Sequence, residues 1–232
     1  MAIAYVNSGA DFTGTSTTAL NFTTGWTPTA GNTLFVWCWR NSNASFTCAD
    51  GEGTGNSYVN DADITQVTTI RGILFRATNI SGSGAYTITV SSGTAAPTAL
   101  VVAEYSGLDN VSPIDVTPVT RGSTTTNPDS ALNITTTNAN DLLVCGYGDL
   151  SSANNTFTAG SGYTIRQSQG NGGSFFIGAY EDLIVSATGT YPNGFTYAGF
   201  QTYVEVQAAY KASTGAVVDT IVQQTRYNVR IS

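Results

Sequence analysis

Thr98-Ala99-Leu100-Val101-Val102-Ala103-Glu104-Tyr105 returns later in the chain as Tyr203-Val204-Glu205-Val206-Gln207-Ala208-Ala209-Tyr210. Alternate positions agree between the copies: Val101, Ala103 and Tyr105 match Val206, Ala208 and Tyr210. Side chains alternate faces along a strand, so agreement at a period of two marks the same inward face written twice. These six residues are expected in a core. Their neighbours Glu104, Glu205 and Gln207 are then expected to point outward.

Moving outward, Ala19-Leu20-Asn21-Phe22-Thr23-Thr24 returns as Ala131-Leu132-Asn133-Ile134-Thr135-Thr136, and Thr33-Leu34-Phe35-Val36-Trp37-Cys38 as Asn140-Asp141-Leu142-Leu143-Val144-Cys145. The three pairs keep their order, and their spacing drifts only where loops change length. A repeat of this size is a whole small folding unit rather than a solenoid turn. The expected fold is therefore all-β: two tandem, internally duplicated antiparallel β-sandwiches of Ig-like or jelly-roll-like type.

The chain divides accordingly. Residues 1–18 form a leader with one short strand, 19–105 the first repeat, and 106–130 a linker punctuated by Pro113, Pro118 and Pro128 with a strand near Ile114 to Val119. Residues 131–211 form the second repeat, and 212–232 a C-terminal strand or docking arm without a counterpart after the first.

Composition agrees with this reading. The chain is 41% hydrophobic and 11% aromatic but only 10% charged, which is enough apolar material for real cores and unlike a disordered chain. Eight Lys and Arg against 15 Asp and Glu leave a net charge of −7, too little positive charge to neutralise a run of phosphates or to seek an anionic membrane. The opening residues show no basic and apolar leader, so the expectation is a protein made in a cytoplasm. Cys38 and Cys145 occupy the same place in the two repeats, within apolar strands where a thiol acts as a small hydrophobe. A Cys38–Cys48 bridge is compatible with spacing alone.

The pattern resembles duplicated β-sandwich domains of bacterial surface proteins and phage structural proteins. The resemblance rests on Thr33-Leu34-Phe35-Val36, on Asp50-Gly51 leading to Gly55-Asn56-Ser57-Tyr58, and on Ile73-Leu74-Phe75-Arg76-Ala77-Thr78-Asn79-Ile80. It continues through residues 99–108, Pro113-Ile114-Asp115-Val116-Thr117, Gly160-Ser161-Gly162-Tyr163-Thr164-Ile165-Arg166 and Glu181-Asp182, covering about 19 to 211. The chain departs from it in the extra residues between Asp50 and Asn56 and in Leu183, where relatives often carry Arg after the Glu-Asp pair. The resemblance implies a display, adhesion or virion module assembled through contacts, with other copies of itself and virion structural proteins as partners. The implied location is a virion, or alternatively the extracellular space or a cell surface.

Catalytic chemistry has little material. There is no histidine, hence no customary base for a Ser or Cys nucleophile. Glu104, Glu181 and Asp182 are the carboxylates that could serve glycoside hydrolysis, but adjacent Glu181 and Asp182 project to opposite strand faces and cannot pair with each other. No catalytic residue is assigned and the chain reads as a non-enzyme. The acidic, Gly-rich stretch with Asp50, Glu52, Asn56, Asp61 and Asp63 offers hard oxygen ligands, so Ca²⁺ is the one cofactor considered, against the plainer reading of solvated turn acids. Phe35, Trp37 and Trp39 share one strand face, opposite Val36 and Cys38. With Trp26 they make either a platform for surface glycans or a contact between the two sandwiches. The tail, with Ile221, Val222, Arg226, Tyr227, Val229 and Arg230, is strand-prone and reads as an assembly arm or as the last strand of repeat two.

Overall fold

The computed structural model describes residues 1–51, 55–66, 69–82, 84–123, 132–150, 156–170, 176–196 and 202–214. Among these residues the chain is entirely β. The strands are β1 (Ala4–Asp11), β2 (Ser16–Thr23), β3 (Thr33–Arg40), β4 (Thr47–Asp50), β5 (Val59–Gln66), β6 (Ile70–Ala77) and β7 (Thr87–Ser106). They continue as β8 (Ile114–Ser123), β9 (Asn133–Thr135), β10 (Asp141–Asp149), β11 (Thr164–Gln169), β12 (Ile177–Val185), β13 (Thr190–Pro192) and β14 (Tyr203–Lys211).

Two large antiparallel sheets dominate. One runs β1-β7-β3-β6-β5, the other β8-β14-β10-β12-β11, so the two have the same order when strands are matched in chain sequence. The leader and the linker each donate the first strand of a large sheet: β1 pairs with the end of β7, and β8 pairs with β14. β7 is 20 residues long, too long for one layer. Its part up to Pro97, interrupted by the exposed stretch Gly93-Thr94-Ala95, pairs with β2 and, before that stretch, with β4, and from Thr98 onward it pairs with β3 and β1. β7 is thus a single strand bridging two layers. In repeat two the matching pieces, β13 and β14, are separate, and β13 pairs with β9.

Three apolar clusters lie between layers. One joins β3 and β6 to the β2 and early β7 layer through Val36, Cys38, Ile73, Val102, Ile88 and Val90. Another joins β10, β12 and β14 to the β9 segment and the residues around Phe157 and Tyr163. The largest lies between the two big sheets and takes Phe35, Trp37, Trp39, Val101 and Tyr105 from one repeat, and Leu142, Val144, Tyr180, Val206 and Tyr210 from the other. The two large sheets therefore share their main core face to face. This explains why β3 and β10 are buried along their whole lengths: each lies in a middle layer with a core on both sides.

The six residues expected to face inward are all fully buried in that shared core. The outward expectation for Glu104, Glu205 and Gln207 is overturned, since they are 0%, 1% and 0% exposed. They do leave the shared core, as alternation requires, but the face they enter is covered by another layer rather than by water. Register also differs between the repeats. Cys38 lies opposite Leu100, five residues before Tyr105, whereas Cys145 lies opposite Gln207, three residues before Tyr210. A slip of two residues preserves every face, so the strand pattern alone could not reveal it.

Candidate functional site

The face between the two large sheets is where chemically distinctive side chains converge. Trp37 and Trp39 project from β3 with rings 6.3 Å apart and stacked, and both are fully buried. The facing positions on the other sheet are Gly146 and Gly148 of β10 and Gly178 of β12, each lying directly against an indole. A Cβ on Gly146 would approach Trp37 Cδ2 to 2.6 Å, closer than atoms can pack, so these glycines are the holes that receive the two indoles. Trp37 Nε1 donates to the Tyr147 carbonyl at 3.2 Å, which ties the sheets through a backbone acceptor as well. Trp37 and Trp39 therefore form no exposed platform; the two indoles make the contact between the two large sheets. Trp26 is apart from them and half-buried, its Nε1 donating to Glu104 Oε2 at 2.6 Å.

Two polar clusters flank the indoles, and they mirror each other across the interface. Tyr105 of β7 donates to Asp182 of β12, whose carboxylate receives Arg166 of β11 in a fork at 2.8 and 3.0 Å. Reciprocally, Tyr210 of β14 donates at 2.8 Å to Asp61 of β5, whose carboxylate receives Arg76 of β6 at 2.6 and 2.9 Å. In one repeat the acid sits on the outer strand and the arginine on its neighbour; in the other the order is exchanged. Such bidentate pairs satisfy charges that burial would otherwise make costly. Arg166 also lies 3.8 Å over the Tyr5 ring, so β1 is held against β11. Sequence reasoning missed these clusters. The available signal was Arg76 at a position of an apolar strand that shares its face with Leu74.

The acidic-loop residues are not brought together as a cation site. Asp61 belongs to the cluster just described, and Asp63 takes a bidentate fork from Arg71 at 2.8 and 2.5 Å. Asp50 accepts from Asn56 Nδ2 at 2.8 Å, and Glu52 lies outside the described residues. Among the described residues no three of His, Cys, Asp and Glu converge. All three cysteines are free thiols, so the Cys38–Cys48 bridge is not formed. Ile221, Val222, Arg226, Tyr227, Val229 and Arg230 also lie outside the described residues. Glu104 is fully committed, accepting from Trp26, from the Thr29 amide at 2.8 Å and from Asn32 Nδ2 at 2.6 Å.

Glu181 and Asp182 do face opposite ways, Asp182 into the shared core and Glu181 to the far side of β12. There Glu181, Cys145 and Gln207 form a row across three strands. Glu181 accepts from the Gly160 amide at 2.9 Å, and Gln207 Nε2 donates to Tyr163 Oη at 2.8 Å and to the Tyr191 carbonyl at 3.0 Å. Next to this row Glu205 pairs with Arg121 at 2.7 Å and accepts from Asn193 Nδ2. In the first repeat the corresponding surface is apolar, with Ile73, Cys38 and Leu100 in a row. The polar row pins the loop carrying Gly160 and the short strand β13 carrying Tyr191.

Burial, opposed by its backbone donors and aided by Glu205 and Asp182, pushes the Glu181 carboxyl up to about 7. The folded chain then holds a proton that the unfolded chain releases near the ordinary glutamate range. Stability from this group is complete below that range and is lost as pH rises through about 7. The expected total is about 3 kcal/mol between mildly acidic and mildly alkaline solution. Glu181→Gln should remove this slope and make the variant the more stable protein at alkaline pH. Denaturant midpoints across the range check it, and parallel wild-type and variant curves would refute it.

No family model, no curated protein and no solved structure matches this chain.

Proposed function

We propose that the chain is an internally duplicated pair of β-sandwiches that serves as a non-enzymatic structural or decoration component of a phage virion, working through subunit contacts. The observation that carries this reading is the use of its distinctive side chains. Trp37, Trp39, Tyr105, Tyr210 and the two Arg–Asp forks join sheet to sheet, and the carboxylates weighed for glycoside hydrolysis are buried in separate structural networks. A rigid, layered body follows, suited to bearing contacts. The common strand order of the large sheets supports duplication.

The outer strands refine the mode of assembly. Among the described residues β1, β5, β8 and β11 each pair with one neighbour only, and each of those pairings contains a register shift. Bulged edges resist indiscriminate strand addition. Assembly then depends on a dedicated element, and the arm beyond Thr214, carrying Arg226 and Arg230 on an acidic protein, is that element. The glycan-binding alternative loses two of its three indoles to the interior. Truncation after Thr214 should leave the unfolding midpoint unchanged while abolishing incorporation into particles, measured by mass spectrometry of density-banded material. Undiminished incorporation of the folded truncated chain would sink the docking role.

A further inference from the structure

Ser213, next to the last described residue Thr214, forms part of the wall of a groove of about 380 Å³. The other walls are mostly apolar: Met1, Ala2 and Ile3 at the chain start, Ile184 and Val185 at the end of β12, and Ala212. Met1 is 81% and Ile184 44% exposed, two of the five large hydrophobic side chains that the described residues leave open to solvent. Met1 is fixed beside the exit, its ammonium group donating to the Ser213 carbonyl at 3.2 Å and to Ser213 Oγ at 3.3 Å. The ladder between β11 and β12 stops at Asp182. Among the described residues Leu183, Ile184 and Val185 therefore pair only with β10 and keep one backbone edge open.

Open apolar side chains beside an unpaired strand edge suit an apolar, strand-prone segment. The sequence beyond the exit, Ala216-Val217-Val218-Asp219-Thr220-Ile221-Val222, has that character, rich in β-branched residues and charged only at Asp219. Its own groove is badly placed to receive it. Only Thr214 and Gly215 separate Ala216 from the groove wall, and a reversal that tight would lay the segment along β14, whose two edges already carry β10 and β8. A hinge too short to fold back favours exchange with a second copy. Because the segment starts where the groove lies, two copies related by a two-fold axis bring each segment to the other's groove at one junction, and the assembly closes at two. We propose that the groove between the chain start, the end of β12 and Ala212 receives residues 216–222 of a second copy, in a reciprocal exchange that makes a closed dimer. This rests on the reading of the arm as the assembly element and names its first partner.

The test measures mass by sedimentation equilibrium, with urea midpoints confirming that each protein is folded. A dimer is expected for the full chain, and a folded monomer after truncation at Thr214. Full-length Ile184→Asp, which puts a charge into the groove from an exposed position, should also be a folded monomer. Val59→Asp, an equally exposed exchange on β5, should stay dimeric. A labelled peptide of residues 215–232 should bind the truncated chain with a saturable rise in fluorescence anisotropy, and lose about tenfold or more in affinity when the truncated chain carries Ile184→Asp. A monomeric full chain, a truncated chain that still dimerises, a dimeric Ile184→Asp, or equal loss of the dimer in Val59→Asp would each overturn the exchange. Incorporation into particles is scored separately. A dimer that never enters particles ends the virion reading and leaves the exchange standing, whereas a dimeric Ile184→Asp ends the exchange and leaves the virion reading standing.

Discussion

Replacing Trp37 by alanine is expected to lower the stability of the folded chain by about 3–5 kcal/mol, the range for removing a buried indole. The upper half of that range is favoured because the opposite wall cannot close the cavity. Gly146 has no side chain to move inward, and its backbone is fixed in the ladders to β12 and β14. Trp39→Ala should behave alike, its ring lying against Gly148 and Gly178 and 5.7 Å from Phe12. The reciprocal substitution Gly148→Val should cost about 1–3 kcal/mol or more by overpacking. Combined with Trp39→Ala it should cost less than the sum, because the new side chain enters the space the indole leaves. Urea unfolding measures all four. The shared core also predicts one transition for both repeats, moved as a whole by Trp37→Ala. Two transitions, of which only one responds, would mean that the interface does not couple the sheets, and a loss under about 1 kcal/mol would deny the indole its role.

Asp182→Ala is expected to be nearly as damaging, about 3 kcal/mol, because it strands Tyr105 Oη in a dry interior and leaves Arg166 without its counter-charge. The Arg166 side chain retains 23% exposure, so water relieves part of the loss. Tyr105→Phe alone should cost about 1 kcal/mol, and adding it to Asp182→Ala should cost almost nothing further, since the bond is already gone. Asp61→Ala should reproduce the effect at the other cluster through Tyr210 and Arg76, whose side chains are more completely enclosed. Additive losses for Tyr105 and Asp182 in a double-mutant cycle would show that the two groups do not act as one unit. Added salt should change these values little, because screening hardly reaches enclosed pairs.

The strand pattern was legible where a single periodicity controls it. Alternation in 98–105 and 203–210 placed six core residues, and the same alternation set Glu181 apart from Asp182; the apolar run of β3 left a glycan platform and a contact both open, and only the burial of Trp37 and Trp39 decided for the contact. Strand ends were less legible. Nothing local in 87–106 distinguishes two strands from one that changes layer. Glu104, Glu205 and Gln207 were misplaced because alternation tells which face a side chain takes, never whether that face meets water.

Local chemistry therefore decided the class of structure: all-β, strand after strand, with each side chain assigned to one of two faces. The tertiary arrangement decided everything that depends on what lies across a gap. Only packing two sheets face to face turns Trp37 and Trp39 into knobs over Gly146, Gly148 and Gly178, and only there do Tyr105 and Asp182, 77 residues apart, become partners. The reason is range. Backbone sterics and alternation act over a few neighbouring residues, whereas the neutralisation of a buried charge and the filling of a hole depend on surfaces brought together from distant parts of the chain.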